Sequence, residues 1–174
     1  MQKHIFRVPV DIKHFKDTIE TGKPYTELLP FLPAEEQLKA IAQNGMVRYW
    51  GSLPGESNTK KFKLLHEGDE LLCYRNGKYI ALATVAFTII NPALARYSWG
   101  ETKQKMTWEL MYFFRDVTPL QMDTHLINEA FGYQDTPVMG FSALSEERAS
   151  TFLNSYGSVA DFIKQLQERN ALAA

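Results

Sequence analysis

Three tryptophans are the side chains best suited to chemistry in this 174-residue chain. Trp50 and Trp99 are each followed at once by glycine, as Trp50-Gly51 and Trp99-Gly100. Each stands where a strand or short helix gives way to a polar loop. An indole in that position walls a pocket, and the glycine beside it lets backbone approach a ligand closely. Two such walls hold a flat base between them, and stacking on aromatics contributes roughly 1–3 kcal/mol per base. The alternative is structural: both indoles close the ends of the core, because most tryptophans are largely buried. Trp108, inside the aromatic run TWELMYFF, reads as core.

Basic residues supply the complement to phosphate. Residues 45–105 carry nine basic side chains against five acidic, net +4, in a chain whose overall charge is −1. Arg48, Lys60, Lys61, Arg75, Lys103 and Lys105 fall in this stretch. They form either a basic face for nucleic acid or a set of solvated lysine loops. The last third is acidic, net −5.

Catalytic signatures are missing. There is no P-loop, G-x-S-x-G elbow, H-E-x-x-H or dinucleotide glycine pattern. His4, His14, His66 and His125 are scattered, with no second histidine or cysteine at metal-ligand spacing, so no metal is expected. Cys73 lies in the apolar run ELLCY and reads as a buried, inert thiol. A single cysteine gives no disulfide framework, which points to a reducing, cytoplasmic setting. No run is apolar and long enough to span a bilayer, and the N-terminus does not read as a secretory signal. These features describe a binding module without cofactor or catalytic residues, rather than an enzyme.

The elements that position these residues follow from periodicity. HIFRVPV reads as a strand, and Asp11 caps a helix with Ile12, Phe15 and Ile19 on one side. YTELLPFLP reads as an irregular connector and AEEQLKAIAQ as a helix. MVRYW (46–50) alternates Val47 and Tyr49 against Arg48 and Trp50. A short helix is expected over 60–65. ELLCYR and KYIALATVAFTII flank Asn76-Gly77, a strong hairpin signal. TWELMYFFRDV reads as a strand, and helices are expected over 120–132, within 141–154 and over 158–168. The sum is an α+β chain: a curled β-sheet or small barrel flanked by helices. One domain is expected over 1–174, with an N-terminal strand and helices in 1–45, a barrel core in 46–145 and C-terminal helices in 146–174. The tail ERNALAA, without further core positions, suggests part of a longer protein.

The segment YWGSLPGESNTKKFKLLHEGDELLCYRNGKYIALATV resembles the EVE/YTH branch of the PUA-like superfamily. YSWG, TWELMYFF and YQDTPVMGFSALSEE extend the similarity over roughly residues 46–145. Within that group it looks most like the modified-base-reading N-terminal domains of McrB-type and EVE–HNH-type restriction nucleases. The resemblance implies a PUA-like fold that takes one nucleotide out of the helix and holds its base in an aromatic pocket. It implies Trp50 as the first wall and Trp99 as the second, and polar contacts from Ser52 and Asn58. It also places Gly51, Tyr74, Tyr97 and Ser98 at the pocket. Gly51 departs from YTH domains, which typically carry serine there. The implied partner is DNA bearing a modified base, with RNA as the alternative, and cleavage would lie in a nuclease or motor domain elsewhere. A small metal-dependent nuclease and a protein-interaction domain are the remaining readings.

Overall fold

A computed structural model describes residues 2–134 and 140–173. In chain order the strands are β1 (Ile5–Pro9), β2 (Lys23–Pro24), β3 (Met46–Ser52), β4 (Glu70–Arg75), β5 (Lys78–Ile90), β6 (Leu110–Asp123) and β7 (Ser142–Ala143). They form one sheet in the order β2-β3-β6-β5-β4-β1-β7. β1 and β4 run parallel, and every other neighbouring pair is antiparallel.

Period-2 patterning gives this sheet two buried faces. Leu110, Tyr112 and Phe114 enter the inner core, and Met111 and Phe113 between them enter an outer one. Likewise Leu71 and Cys73 face inward and Leu72 outward. Asn76 and Gly77 turn the β4–β5 hairpin with φ of 48° and 73°, the left-handed conformations this tight turn requires. Register shifts at Tyr79/Ala81, Thr84/Val85 and Val85/Phe87 bend β5, and the sheet curls but stays open.

The helices are α1 (Ile12–Phe15), α2 (Tyr25–Leu28), α3 (Glu35–Ile41), α4 (Glu56–Phe62), α5 (Pro92–Trp99), α6 (Thr124–Ala130), α7 (Glu146–Tyr156) and α8 (Val159–Ala173). Asp11 caps α1 by accepting from His14 N at 3.0 Å, and the chain continues as a π-helical stretch, Lys16–Thr21. Phe15, Ile19 and the α4 residue Phe62 pack on the inner face. α2, α3 and α5 cover one end of the outer face through Leu28, Leu38 and Leu94. α6, α7 and α8 cover the other end through Ile127, Phe152 and Phe162. The buried Glu70 carboxylate accepts from Val159 N (2.7 Å) and Ala160 N (3.0 Å), so β4 caps the start of α8.

Several expected boundaries move. The connector YTELLPFLP contains α2. The helix expected over 60–65 begins earlier, at Glu56. β6 runs through Pro119 to Asp123, where a helix was expected from Leu120. Pro119 sits opposite Ala81 at the β5 irregularity, where a missing N–H interrupts little of the ladder. No helix among the described residues is long and apolar enough to cross a membrane.

Candidate nucleic-acid interface

β3 extends beyond MVRYW and carries Trp50, Gly51 and Ser52 within it. These three residues pair with Tyr112, Met111 and Leu110 of β6. Trp50 is therefore inside the strand, on the inner face, and only 8% exposed. A Cβ on Gly51 would meet the Trp108 carbonyl oxygen at 2.3 Å and Trp99 Cζ3 at 2.8 Å. Glycine here admits neighbouring protein, where the sequence suggested room for a ligand. All three tryptophans converge on this point. With Asp11, His14 and Gly51 they enclose about 20 Å³, space for one water.

Beside them opens a cavity of about 210 Å³. That is below the ~300–1,000 Å³ of drug-sized sites and on the scale of one small ring system. β1 and the turn into α1 contribute Val8, Pro9 and Asp11; β3 and its exit contribute Trp50 to Leu53. Asn58 comes from α4, Trp108 from the segment ahead of β6, and Phe141 completes the lining. Phe141 is held by rings on both sides, stacked on Tyr112 (5.7 Å) and on Phe6 (5.6 Å).

The polar groups are few and fixed. Ser52 Oγ lies 3.0 Å from the Tyr112 hydroxyl. Asn58 Nδ2 donates to Leu53 O at 2.9 Å, and its Oδ1 has no protein donor among the described residues. Asp11 accepts from His14 N, and the His14 ring nitrogen Nδ1 lies 2.8 Å from its other oxygen. Partial burial opposes ionisation of Asp11, but the His14 hydrogen bonds outweigh it and hold the carboxyl below its ordinary pKa. A charged acceptor, an amide and a hydroxyl thus share one small cavity with indole walls. That combination suits a flat nitrogen heterocycle, stacked on its faces and bonded at its edge.

The expected sandwich between Trp50 and Trp99 is not present. Their ring centroids are 5.8 Å apart and the planes are tilted by 59°, which is direct contact. A ring stacked between them needs about 7–8 Å between near-parallel faces, two contacts of roughly 3.5–4.0 Å. Trp99 instead fills the joint between inner and outer cores, tilted on Tyr49 at 5.5 Å, with Nε1 buried and without a hydrogen-bond partner among the described residues. Trp108 lies ahead of β6 rather than in it, half-buried, and lines the cavity that Trp99 was expected to line.

Three other expected pocket residues lie elsewhere. Tyr74 packs with the outer cluster beneath α7 and α8, because strand alternation turns it away from the face that holds Trp50. Ser98 bonds the Tyr49 hydroxyl at 2.7 Å. Tyr97 is 47% exposed, stacks on Phe31 at 4.6 Å and donates to Glu27. α5 packs its apolar residues outward, so only Trp99, at its end, reaches the tryptophan cluster.

The basic residues divide into two groups. Lys60 and Lys61 lie on α4, beside Asn58; Lys103 and Lys105 lie on the segment that leads to Trp108. Lys61 donates to Phe141 O at 2.6 Å. Lys60 and Lys105 pair with Glu56 (3.2 Å) and Glu101 (2.9 Å) in exposed bridges of small energy, which a phosphate readily replaces. Arg48 and Arg75 instead line a separate cleft of about 750 Å³ with Lys16 and Lys78. Arg48 there donates to Gln43 at 2.7 Å. Among the described residues, His4, His66 and Asp69 also come together as potential metal ligands.

No protein-family profile and no curated protein matches the chain significantly. Among solved structures, the N-terminal domain of Thermococcus gammatolerans McrB, bound to m5C DNA, matches with a TM-score of 0.67. The match covers 94% of this chain and 99% of that one, at 15% sequence identity. The chain shares that domain's fold. The expected α+β arrangement, a curled sheet with flanking helices, is the observed architecture. Residues 135–139 of YQDTPVMGFSALSEE lie outside the described residues.

Proposed function

We propose that this chain is a DNA-binding module that takes a modified base out of the duplex and reads it in the Trp50–Trp108 cavity. The observation that carries the reading is the cavity itself: about 210 Å³, with indole walls, edge-directed polar groups, and lysines on the segments that frame it. The base stacks on Trp50 and Trp108, with Phe141 closing the lining. Ser52, Asn58 and the Asp11 carboxylate face its hydrogen-bonding edge; a carboxylate accepts from an exocyclic amino group such as that of cytosine. Lys60, Lys61, Lys103 and Lys105 contact flanking phosphates, a salt-dependent contribution. The domain supplies specificity to a modification-dependent restriction system, and cleavage resides in a nuclease or motor domain of a longer or partner chain.

The fold neighbour was solved with m5C DNA, so 5-methylcytosine is the first modification to test. Fluorescence anisotropy compares identical duplexes carrying 5-methylcytosine, N6-methyladenine or no modification, with a matched RNA as competitor. One modified duplex is expected to bind tightest. Trp50→Ala and Trp108→Ala are each expected to lower that affinity about 5–150-fold, the equivalent of losing roughly 1–3 kcal/mol of stacking. Equal affinity for modified and plain duplexes, or wild-type affinity in both variants, would overturn the proposal. Preference for the RNA would redirect it to an RNA reader.

A further inference from the structure

We propose that His4, His66 and Asp69 form a binding site for a first-row divalent cation of the Zn²⁺ type, which clamps the start of β1 to the turn entering β4. His4 is far in sequence from His66 and Asp69, which is why ligand spacing did not reveal the set. Folding brings one ligand atom of each within 4.8 Å of the others. The turn HEGD delivers His66 and Asp69, and His4 directly precedes β1, whose Ile5 pairs with Glu70.

The geometry suits coordination better than hydrogen bonding. His4 Nδ1 lies 3.6 Å from Asp69 Oδ2, too long for a hydrogen bond. Two ligands at about 2.0–2.1 Å from a tetrahedral ion stand roughly 3.3 Å apart, close to this separation. His4 Nδ1 is buried and has no hydrogen-bond partner among the described residues. His66 Nδ1 lies 2.7 Å from Leu64 O. As a donor to that carbonyl it leaves the Nε2 lone pair free, the tautomer that outer hydrogen bonds enforce in metal-bound histidines.

Asp69 supplies the charge argument. Its side chain is 2% exposed, and its oxygens accept from His4 N and His66 N, each at 2.8 Å. Those bonds orient the carboxylate without neutralising it. A buried carboxylate is paired with a cation or coordinates a metal. No lysine or arginine pairs with it among the described residues; the neighbouring charge-bearing candidate is His4. Two imidazoles and one carboxylate favour a zinc-like ion over Mg²⁺ or Ca²⁺, and three protein ligands leave a fourth position for water. The site lies at the opposite end of β1 from Val8 and Pro9 of the cavity, roughly 15 Å along the strand. It acts on sheet stability and leaves base reading untouched.

The test uses tag-free protein stripped with a chelator and desalted. Zn²⁺ is titrated against a chromophoric competitor, and thermal unfolding is followed with and without the ion. One equivalent is expected to bind. At about 100 times Kd the melting temperature should rise by roughly 5–10 °C. His66→Ala changes an exposed residue; it should keep the wild-type circular dichroism, lose at least tenfold in Zn²⁺ affinity and lose the melting shift. His4→Ala should behave alike, and His125→Ala should match wild type. Absence of saturable binding, equal affinity in His66→Ala, or an equal loss in His125→Ala would overturn the proposal.

Discussion

Gly51→Ala isolates the contact on which the tryptophan cluster turns. Gly51 does not have the positive φ that reserves a position for glycine, so alanine meets no backbone strain there. The whole cost is steric. The new Cβ would stand 2.3 Å from the Trp108 carbonyl oxygen and 2.8 Å from Trp99 Cζ3. The second contact is eased by tilting an indole. The first is with backbone, held just ahead of the Gly51–Met111 pairing of β3 and β6, and has no rotamer to change. Overpacking of this kind costs about 1–3 kcal/mol. Loss of glycine's freedom in the unfolded chain offsets about 0.4–1 kcal/mol. The expected net loss is about 1–2 kcal/mol, or roughly 2–8 °C in melting temperature for a chain of this size. Urea unfolding should show a lower midpoint at unchanged slope. In a Trp99→Leu background the cost should shrink but persist, because only the ring contact is removed. A Gly51→Ala protein as stable as wild type would refute the reasoning, since the Trp108 segment would then be free to yield.

Further outcomes follow from other sites. Burial pushes the Cys73 thiol up to about 12, so a thiol reagent should label the native chain only as fast as it unfolds. Burial also raises the Glu70 carboxyl above 4.5, and this outweighs its two backbone hydrogen bonds. The native state therefore holds that proton to higher pH than the unfolded chain, and the Glu70 contribution to stability falls as pH rises from about 4.5 through the raised value. Glu70→Gln should remove this fall in pH-dependent urea melts; an unchanged pH profile would contradict it. Lys103→Glu combined with Lys105→Glu should weaken binding to plain and modified duplexes alike and reduce the salt slope, because phosphate contacts carry no base preference.

The strands were legible because their signal is local. Alternation in TWELMYFF and ELLCY assigns Tyr112 and Phe113 to opposite faces, and Asn76-Gly77 fixes a turn, without reference to the rest of the chain. Pro119 misled because a proline in the interior of a central strand is tolerated at a bulge, and that irregularity belongs to Tyr79–Ala81. Long-range partners left no mark in the spacing. Phe141 lines the cavity from far along the chain, and His4 meets His66 and Asp69 only because β1 inserts between β4 and β7.

The tryptophans show how one local cue supports two tertiary outcomes. Trp50-Gly51 and Trp99-Gly100 look equivalent in sequence, yet their glycines do different work. Gly100 has φ of 76° with open space around its missing side chain, so it ends α5. Gly51 is extended and crowded, so it is the seat on which Trp99 and the Trp108 carbonyl rest. An indole that occupies that seat is committed to packing and cannot also face a ligand. Trp108 presses the seat only with its backbone, which leaves its ring to line the cavity. If this division holds, Trp99→Ala loses stability first and modified-base preference only as a consequence, whereas Trp108→Ala loses preference with the fold intact. Urea midpoints and anisotropy measured on the same two preparations separate the roles, and the reverse pattern would return Trp99 to the pocket.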